Sequence, residues 1–367
     1  LQAGREAPTI LQLRGPAKPA VGPKSPDMKT TKAGTSQPSS RPLRRRTFLA
    51  QAAWFSLGFP MVARDLAAGP HLDLDLTFTG TKQFQNIAAK AVADEWYKLP
   101  IGDRIMAFAR EMHGTPYVGF TLEIHDRIES PSVNLRGLDC WTFFEIALGM
   151  ARMVELRKQN YHPNDLLREV EWTRYRGGCC NGNYLDRIHY LAEWFFEAEA
   201  RGIATDITRE LGHAQRLQNR KIQEMTVLWK SYRYLRKNPS LREPMALHES
   251  RVARLPVYYI PREHVHRVEP DLRNGDILGI VTRHDGGFCS HVGLLSRGKD
   301  RVARIMHASR NYKKVVIDKS ISGYLNHFSS HLGLMVARPL ARDKAIVERS
   351  TYERNLRKLT GLRKVGP

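Results

Sequence analysis

From Asn274 onward the chain changes texture. Residues 276–282, 290–295, 304–307, 314–318 and 332–337 are short β-type runs separated by turn residues. The pattern before them has a helical period. Ala88, Ala89, Val92 and Trp96 share one face within 82–113, and the pattern repeats over 101–112 after Pro100. A strong apolar helix is expected over 139–154. Another is opened by Pro163 and closed at Gly177-Gly178, and a third is expected over 184–200. Residues 115–138 read as loop, with a short extended piece near 120–122. Helices first and adjacent strands later imply an α+β fold, with a helical N-terminal half packed on a C-terminal antiparallel sheet.

With 367 residues, 42% of them hydrophobic, the chain can bury a sizeable core. The expected organisation is a leader over 1–69, a single catalytic domain over 70–340 and a basic, helix-prone tail over 341–367. A polar, basic and helical insert interrupts the domain at about 209–255. The formal charge is +21, and residues 1–46 hold ten Lys and Arg against two acids, which leaves +13 on the rest. A basic body suits an anionic polymer, and bacterial cell wall is favoured over nucleic acid. No basic stripe with interleaved stacking aromatics is present, so nucleic acid is not expected as a partner.

Residues 1–40 are rich in Pro, Gly, Ser, Thr and Lys and lack hydrophobic periodicity, the composition of a disordered leader. Arg44-Arg45-Arg46-Thr47-Phe48-Leu49 then precedes an apolar stretch over 50–63 and the small residues Ala67-Ala68-Gly69. Basic, apolar and small residues in that order match an export signal, and the paired arginines match the twin-arginine type. The apolar stretch is short for a membrane span. The mature chain is therefore expected to begin near residue 70, in the periplasm or cell envelope, with no stable membrane span. Oligomeric state is not legible.

Asp139-Cys140 opens the helix over 139–154, and Ser290-His291 and His307 fall in the strands downstream. A cysteine at a helix start meets the positive end of the helix dipole and unpaired N–H groups, both of which favour thiolate. A histidine on a nearby strand can carry the proton, and a second polar group can orient it. If the strands holding His291 and His307 pair as a hairpin, His307 can reach the far ring nitrogen of His291 and fix its tautomer. Gly293, two residues on, permits a close approach on that strand.

The other candidates fall away. His264-Val265-His266 would place two imidazoles on one strand face, yet no further ligand is evident. His248-Glu249 lacks the second histidine of a zinc-protease helix. Cys289 alone with His291 is too little for zinc, and the vicinal pair Cys179-Cys180 reads as free thiols or one ordinary disulfide. Neither a metal nor an organic cofactor is expected.

Nine stretches carry a resemblance: Gly114-Thr115-Pro116-Tyr117, Thr121-Leu122-Glu123, Leu138-Asp139-Cys140-Trp141-Thr142-Phe143, Arg174-Tyr175-Arg176-Gly177, Arg187-Ile188-His189-Tyr190, Tyr259-Ile260-Pro261, Gly275-Asp276-Ile277, Ser290-His291-Val292-Gly293 and His307-Ala308-Ser309. They resemble the NlpC-type papain-like cysteine peptidases of bacterial cell walls, and more closely their N-acetylmuramoyl-L-alanine amidase-like branch. The resemblance spans roughly residues 85–340. It implies a papain-like (NlpC-type) fold, with Cys140 as nucleophile, His291 as base and His307 as the orienting residue. Tyr117 matches a tyrosine near the nucleophile. Trp141 stands where the branch more often has a smaller residue, which narrows the pocket beside the thiol. Arg174, Tyr175 and Arg176 are expected in a groove that meets stem-peptide carboxylates. Asp139, Arg187, His189 and Ser290 complete the expected substrate-contact set.

The implied reaction is cleavage of the amide between N-acetylmuramic acid and L-alanine in peptidoglycan fragments, through a thioester on Cys140. Three alternatives stand beside it. They are a γ-D-glutamyl–diamino-acid endopeptidase, an acyltransferase using the same thiol, and a non-catalytic wall-binding protein.

Overall fold

The computed structural model describes residues 72–361. The leader with its expected export signal lies outside the described residues. Helices α1 (Thr81–Ala93) and α2 (Ile101–Glu111) are followed by a long connection, then by α3 (Cys140–Met153), α4 (Pro163–Arg174) and α5 (Leu191–Ala200). Short strands β1 (Ala204–Asp206) and β2 (Gln215–Arg216) precede α6 (Arg242–Val252) and β3 (Tyr258–Pro261). Then come β4 (Ile277–Thr282), β5 (Cys289–Arg297), β6 (Ala303–Ser309), β7 (Lys314–Ser320), α7 (Ile321–His327), β8 (His331–Pro339) and α8 (Arg349–Thr360).

The main sheet runs β2-β3-β8-β4-β5-β6-β7, with β1 also on β8, and its pairings are antiparallel. The fold is therefore α+β, and the strands expected from the sequence recur within one or two residues.

The alternation along β4 and β8 explains why the sheet is buried on both faces. Ile277, Val281, Met335 and Ala337 join the core shared with the helical half. Leu278, Ile280, Leu334 and Val336 join a second core with Val265, Val268, Ile321 and Leu325. Short helical turns over 262–271 and α7 thus cover the face that the N-terminal helices leave open.

Helix α3 begins where it does because Asp139 is extended and caps it. The Asp139 carboxylate accepts the Thr142 N–H at 2.8 Å, and the Thr142 hydroxyl receives the Asp139 N–H at 2.9 Å. Such a reciprocal cap contributes on the order of 1 kcal/mol and fixes where the first turn starts. The helix is buried nearly all round, with Phe143, Phe144, Ile146 and Leu148 inaccessible, and it packs on β5 and β6.

Several local expectations are corrected. Over 184–200 the chain forms one tight turn at Tyr184–Asp186, then an extended stretch through Tyr190, and α5 starts only at Leu191. Asn183 caps the turn, and a backbone bridge from Arg187 to Tyr175 interrupts the helix. Residues 120–122 form a turn, with Phe120 in the left-handed region (φ 63°). His264 and His266 lie on successive helical turns, not on a strand.

The segment over 209–255 is helical only from Glu224 onward, and it is integral to the core. Tyr232, Tyr234, Leu235 and Met245 are buried there. The Tyr234 N–H donates to Glu123 Oε2 at 3.1 Å, and Arg233 pairs with Asp126 at 2.6 Å. The described part of the basic tail docks as α8 on α5, with the Tyr352 hydroxyl donating to Glu197 at 2.9 Å. No helix among the described residues is long and apolar enough to cross a membrane.

Candidate active site

Cys140 occupies the first helical position of α3 and is 5% exposed. Its sulfur is approached by the backbone N–H groups of Val292, Trp141 and Cys140 itself, all of which favour the thiolate. Burial and the adjacent Asp139 carboxylate work the other way and win, pushing the thiol up to about 12. The N–H groups at the helix start favour the thiolate as the sequence implies, but burial outweighs them and favours the neutral thiol. The Val292 contact fixes the sulfur against β5 at the residue after His291.

His291 on β5 and His307 on β6 meet through the hairpin. The strands pair with Leu294 opposite Met306. One residue further in that register His307 faces Gly293, a diagonal step from His291. The rings lie edge to face, and His291 Nε2 is 2.5 Å from His307 Nδ1. Gly293 is required because a Cβ there would sit 2.6 Å from Ile305 Cγ1 and 3.0 Å from the Met306 carbonyl. The close approach on this strand is made by the neighbouring strand. Tyr324 of α7 closes the cluster, its ring 6.2 Å from His291, 5.3 Å from His307 and 5.4 Å from His331.

Burial, reinforced by His307 and His331, holds His291 well below the ordinary histidine range. Its imidazole is therefore neutral at physiological pH, the form that can accept a proton. Because a base works only unprotonated, a lowered pKa moves the acid limb of kcat/KM to lower pH. The limb is expected below pH 6.5. Alkylation of Cys140 by iodoacetamide should be slow from pH 6 to 8, without the early plateau of a thiolate–imidazolium pair that ionises near about pH 4. A limb above pH 6.5, or fast alkylation at pH 6, would contradict this resting state.

The remaining expected residues divide into two groups. Tyr117 lies beside the thiol, where burial first, and then the neighbouring Cys140 and Asp139 groups, raise its phenol. Its N–H donates to the Lys313 carbonyl at 2.9 Å, which ties it to the β6–β7 turn. Trp141 is half-buried, with its indole N–H 3.4 Å from Glu145 Oε1 and its ring against Phe144. Ser290 is buried, and its hydroxyl has no partner among the described residues. The Asp139 carboxylate is committed to Thr142, so its part is to cap the helix, and the expected substrate contact is corrected.

Within the arginine and tyrosine run, Arg174 and Tyr175 are corrected more strongly, because their side chains face inward. Arg174 is inaccessible, with Nε 2.7 Å from Glu145 Oε2 and Nη1 2.9 Å from the Ser132 carbonyl. Tyr175 is equally buried and donates to Glu129 at 2.7 Å. Arg176 forks onto Glu193 at 2.5 and 3.0 Å and meets His248 Nε2 at 2.6 Å. Arg187 is buried against Glu123 at 2.7 Å and Glu129 at 3.6 Å. His189 Nε2 bonds the Tyr184 carbonyl at 3.0 Å. Arg174, Tyr175 and Arg187 are thus part of a buried polar lattice, whereas Arg176 and His189 are half-buried.

Two contributors had no mark in the sequence reading, Tyr324 and Asp318. Asp318 on β7 places Oδ2 3.5 Å from His307 Nε2, with only 9% of its side chain exposed. The signal was available in the hairpin register. His307 pairs with Val316, so Asp318 is its diagonal neighbour two residues on. Cys140, Cys180 and Cys289 are free thiols, and no cluster of three metal-ligating side chains occurs among the described residues.

A family model described as AmiA-like, N-acetylmuramoyl-L-alanine amidase-like, matches residues 107–331. The chain belongs to this amidase-like family. The match takes in Tyr117, Cys140, His291, His307 and Asp318. Among solved structures, an N-acetylmuramoyl-L-alanine amidase from Bacteroides uniformis is 26% identical with a TM-score of 0.59, covering 65% of this amidase-like chain and 99% of that one. A putative xylanase from Bacteroides fragilis is 30% identical at TM-score 0.56, covering 63% and 99%. A Legionella pneumophila protein of family DUF1460 is 20% identical at TM-score 0.54, covering 71% and 95%, and bears on the fold alone. No curated protein matches the chain.

Proposed function

We propose that this protein is an exported, papain-like (NlpC-type) cysteine amidase. It cleaves the amide between the lactyl group of N-acetylmuramic acid and the L-alanine of the stem peptide. The reading rests on Cys140 at a capped helix start, its sulfur met by the Val292 N–H one residue after His291, whose ring pairs with that of His307. Membership of the amidase-like family supports the bond choice. The basic and apolar run over 44–63 supports export.

Cys140 Sγ attacks the lactyl carbonyl carbon while its proton passes to Nδ1 of His291, the ring nitrogen not engaged by His307. The developing oxyanion is stabilised by backbone N–H groups at the start of α3, including that of Cys140. The C–N bond breaks as Nδ1 returns the proton to the amine of L-alanine, leaving a thioester. Water, deprotonated by the same nitrogen, releases the muramic acid carboxylate. Neutral thiol and neutral imidazole make the proton transfer part of the attack rather than a prior equilibrium.

A glycosidase reading, suggested by the xylanase name of one neighbour, finds little support. Such enzymes need two carboxyl groups flanking a glycosidic bond. Here Asp139 is tied to Thr142, and Asp318 stands behind His307. Incubation with defined muropeptides, read by mass spectrometry, tests the bond choice. Free L-alanine amino termini with intact stem peptide are expected. Cleavage after γ-D-glutamate would assign the endopeptidase instead.

A further inference from the structure

We propose that Asp318 is a positioning residue that sets the tautomer of His307, and through it selects Nδ1 of His291 as the basic nitrogen. This deepens the cysteine–histidine reading and rests on it.

A neutral imidazole carries one N–H and one lone pair. His291 Nε2 and His307 Nδ1, 2.5 Å apart, must share one proton between two nitrogens. If His307 carried its proton on Nδ1, it would donate to His291 Nε2. Neutral His291 would then hold its own proton on Nδ1, the nitrogen that must accept from the thiol. If His307 carries its proton on Nε2, every direction reverses. Nδ1 of His307 accepts from His291 Nε2–H, and Nδ1 of His291 is left as a lone pair.

The choice falls to whatever faces His307 Nε2. That nitrogen is buried and makes no hydrogen bond at rest, and Asp318 Oδ2, 3.5 Å away, is the carboxylate oxygen facing it. The separation is at the outer limit of hydrogen bonding and is of the kind that tightens in a reacting complex. A carboxylate can only accept, so it stabilises the Nε2–H form and repels a lone pair there. Its other oxygen is occupied by the Lys319 N–H at 2.7 Å, which holds the carboxylate in place. The remaining groups around the pair do not compete for the role. Tyr324 presents its ring to both histidines, and His331 stacks on the far side of Tyr324. As proton moves from Cys140 to His291, the imidazolium formed is held by His307 Nδ1, and the Asp318 charge stabilises it through the chain.

The test uses the full chain with Asp318→Asn and Asp318→Ala. An amide can donate from the place where a carboxylate could only accept, so Asp318→Asn can reverse the chain. Its kcat is expected to fall by about 10²–10⁴-fold, the range seen when a triad carboxylate is replaced and the histidine takes the wrong tautomer. KM should stay within about twofold, because the residue touches no substrate. Asp318→Ala should lose less than Asp318→Asn, an ordering that a merely structural role does not produce. Long-range nitrogen–proton NMR of the wild-type histidines gives a readout independent of turnover and of whether either variant folds: His307 should carry its proton on Nε2. A wild-type His307 protonated on Nδ1, or an Asp318→Asn enzyme with unchanged kcat, overturns the proposal. Failure of the underlying reading looks different, since Cys140→Ala would then keep its activity whatever the tautomer.

Discussion

Cys140→Ala is expected to lower release of stem peptide from muropeptides by about 10⁴-fold or more, with melting temperature close to wild type. Loss of the nucleophile removes the thioester route altogether, and what remains is catalysis by binding and oxyanion stabilisation alone. The fold should not suffer, because the start of α3 is fixed by Asp139 and Thr142 rather than by the thiol. Removing one sulfur from a 5% exposed site leaves a small gap. Product release measured beside thermal melting separates the two effects. A variant with full lytic effect would instead assign a wall-binding role.

Arg174→Ala is expected to be the most destabilising single change. Arg174 and Glu145 are both inaccessible and 2.7 Å apart. Truncating one partner leaves the other charge buried and unpaired, at a cost of about 3–5 kcal/mol and a fall in melting temperature on the order of 10 °C. Replacing both residues by methionine should recover much of that loss, because a well-packed apolar pair needs no desolvation compensation. Activity should fall in the single variant beyond its folded fraction, since Glu145 also holds the Trp141 indole one residue from the nucleophile. Denaturant titration of the two variants checks both statements. A single-variant loss under about 1 kcal/mol would mean the pair is solvated.

The fold was legible where burial is written locally. The strands from Ile277 to Pro339 alternate apolar residues between two cores, and the helix at Cys140 is announced by its own cap. The meeting of His291 with His307 was legible because the hairpin needs only one register to join them. The arginine run was misread because its partners are distant in sequence. Glu145, Glu129 and Glu193 lie 17 to 46 residues from the side chains they hold. No local pattern distinguishes a guanidinium on a groove from one sealed against a carboxylate. The start of α5 was misplaced for a related reason. The apolar period of Leu191–Phe195 extends backward through Tyr184, yet the Asn183 turn and the Tyr175–Arg187 bridge stop it. Asp318 carried no mark because its nearness to His307 depends on the pairing register of two strands, not on a local pattern.

The resting thiol was the least legible feature. Helix position argues for thiolate, and only the packing of β5 over Cys140 shows that burial outweighs it. On the proposed mechanism, thiol reactivity and catalysis are uncoupled. The free enzyme should resist alkylation at the pH where it turns over substrate.

Acid quenching during turnover, followed by intact mass and peptide mapping, addresses the central claim most directly. An adduct with the mass of the N-acetylmuramyl acyl group, mapped to the peptide containing Cys140 and absent in Cys140→Ala, is the expected result. An adduct carrying stem-peptide mass, or steady turnover with no adduct and undiminished activity in Cys140→Ala, would contradict it.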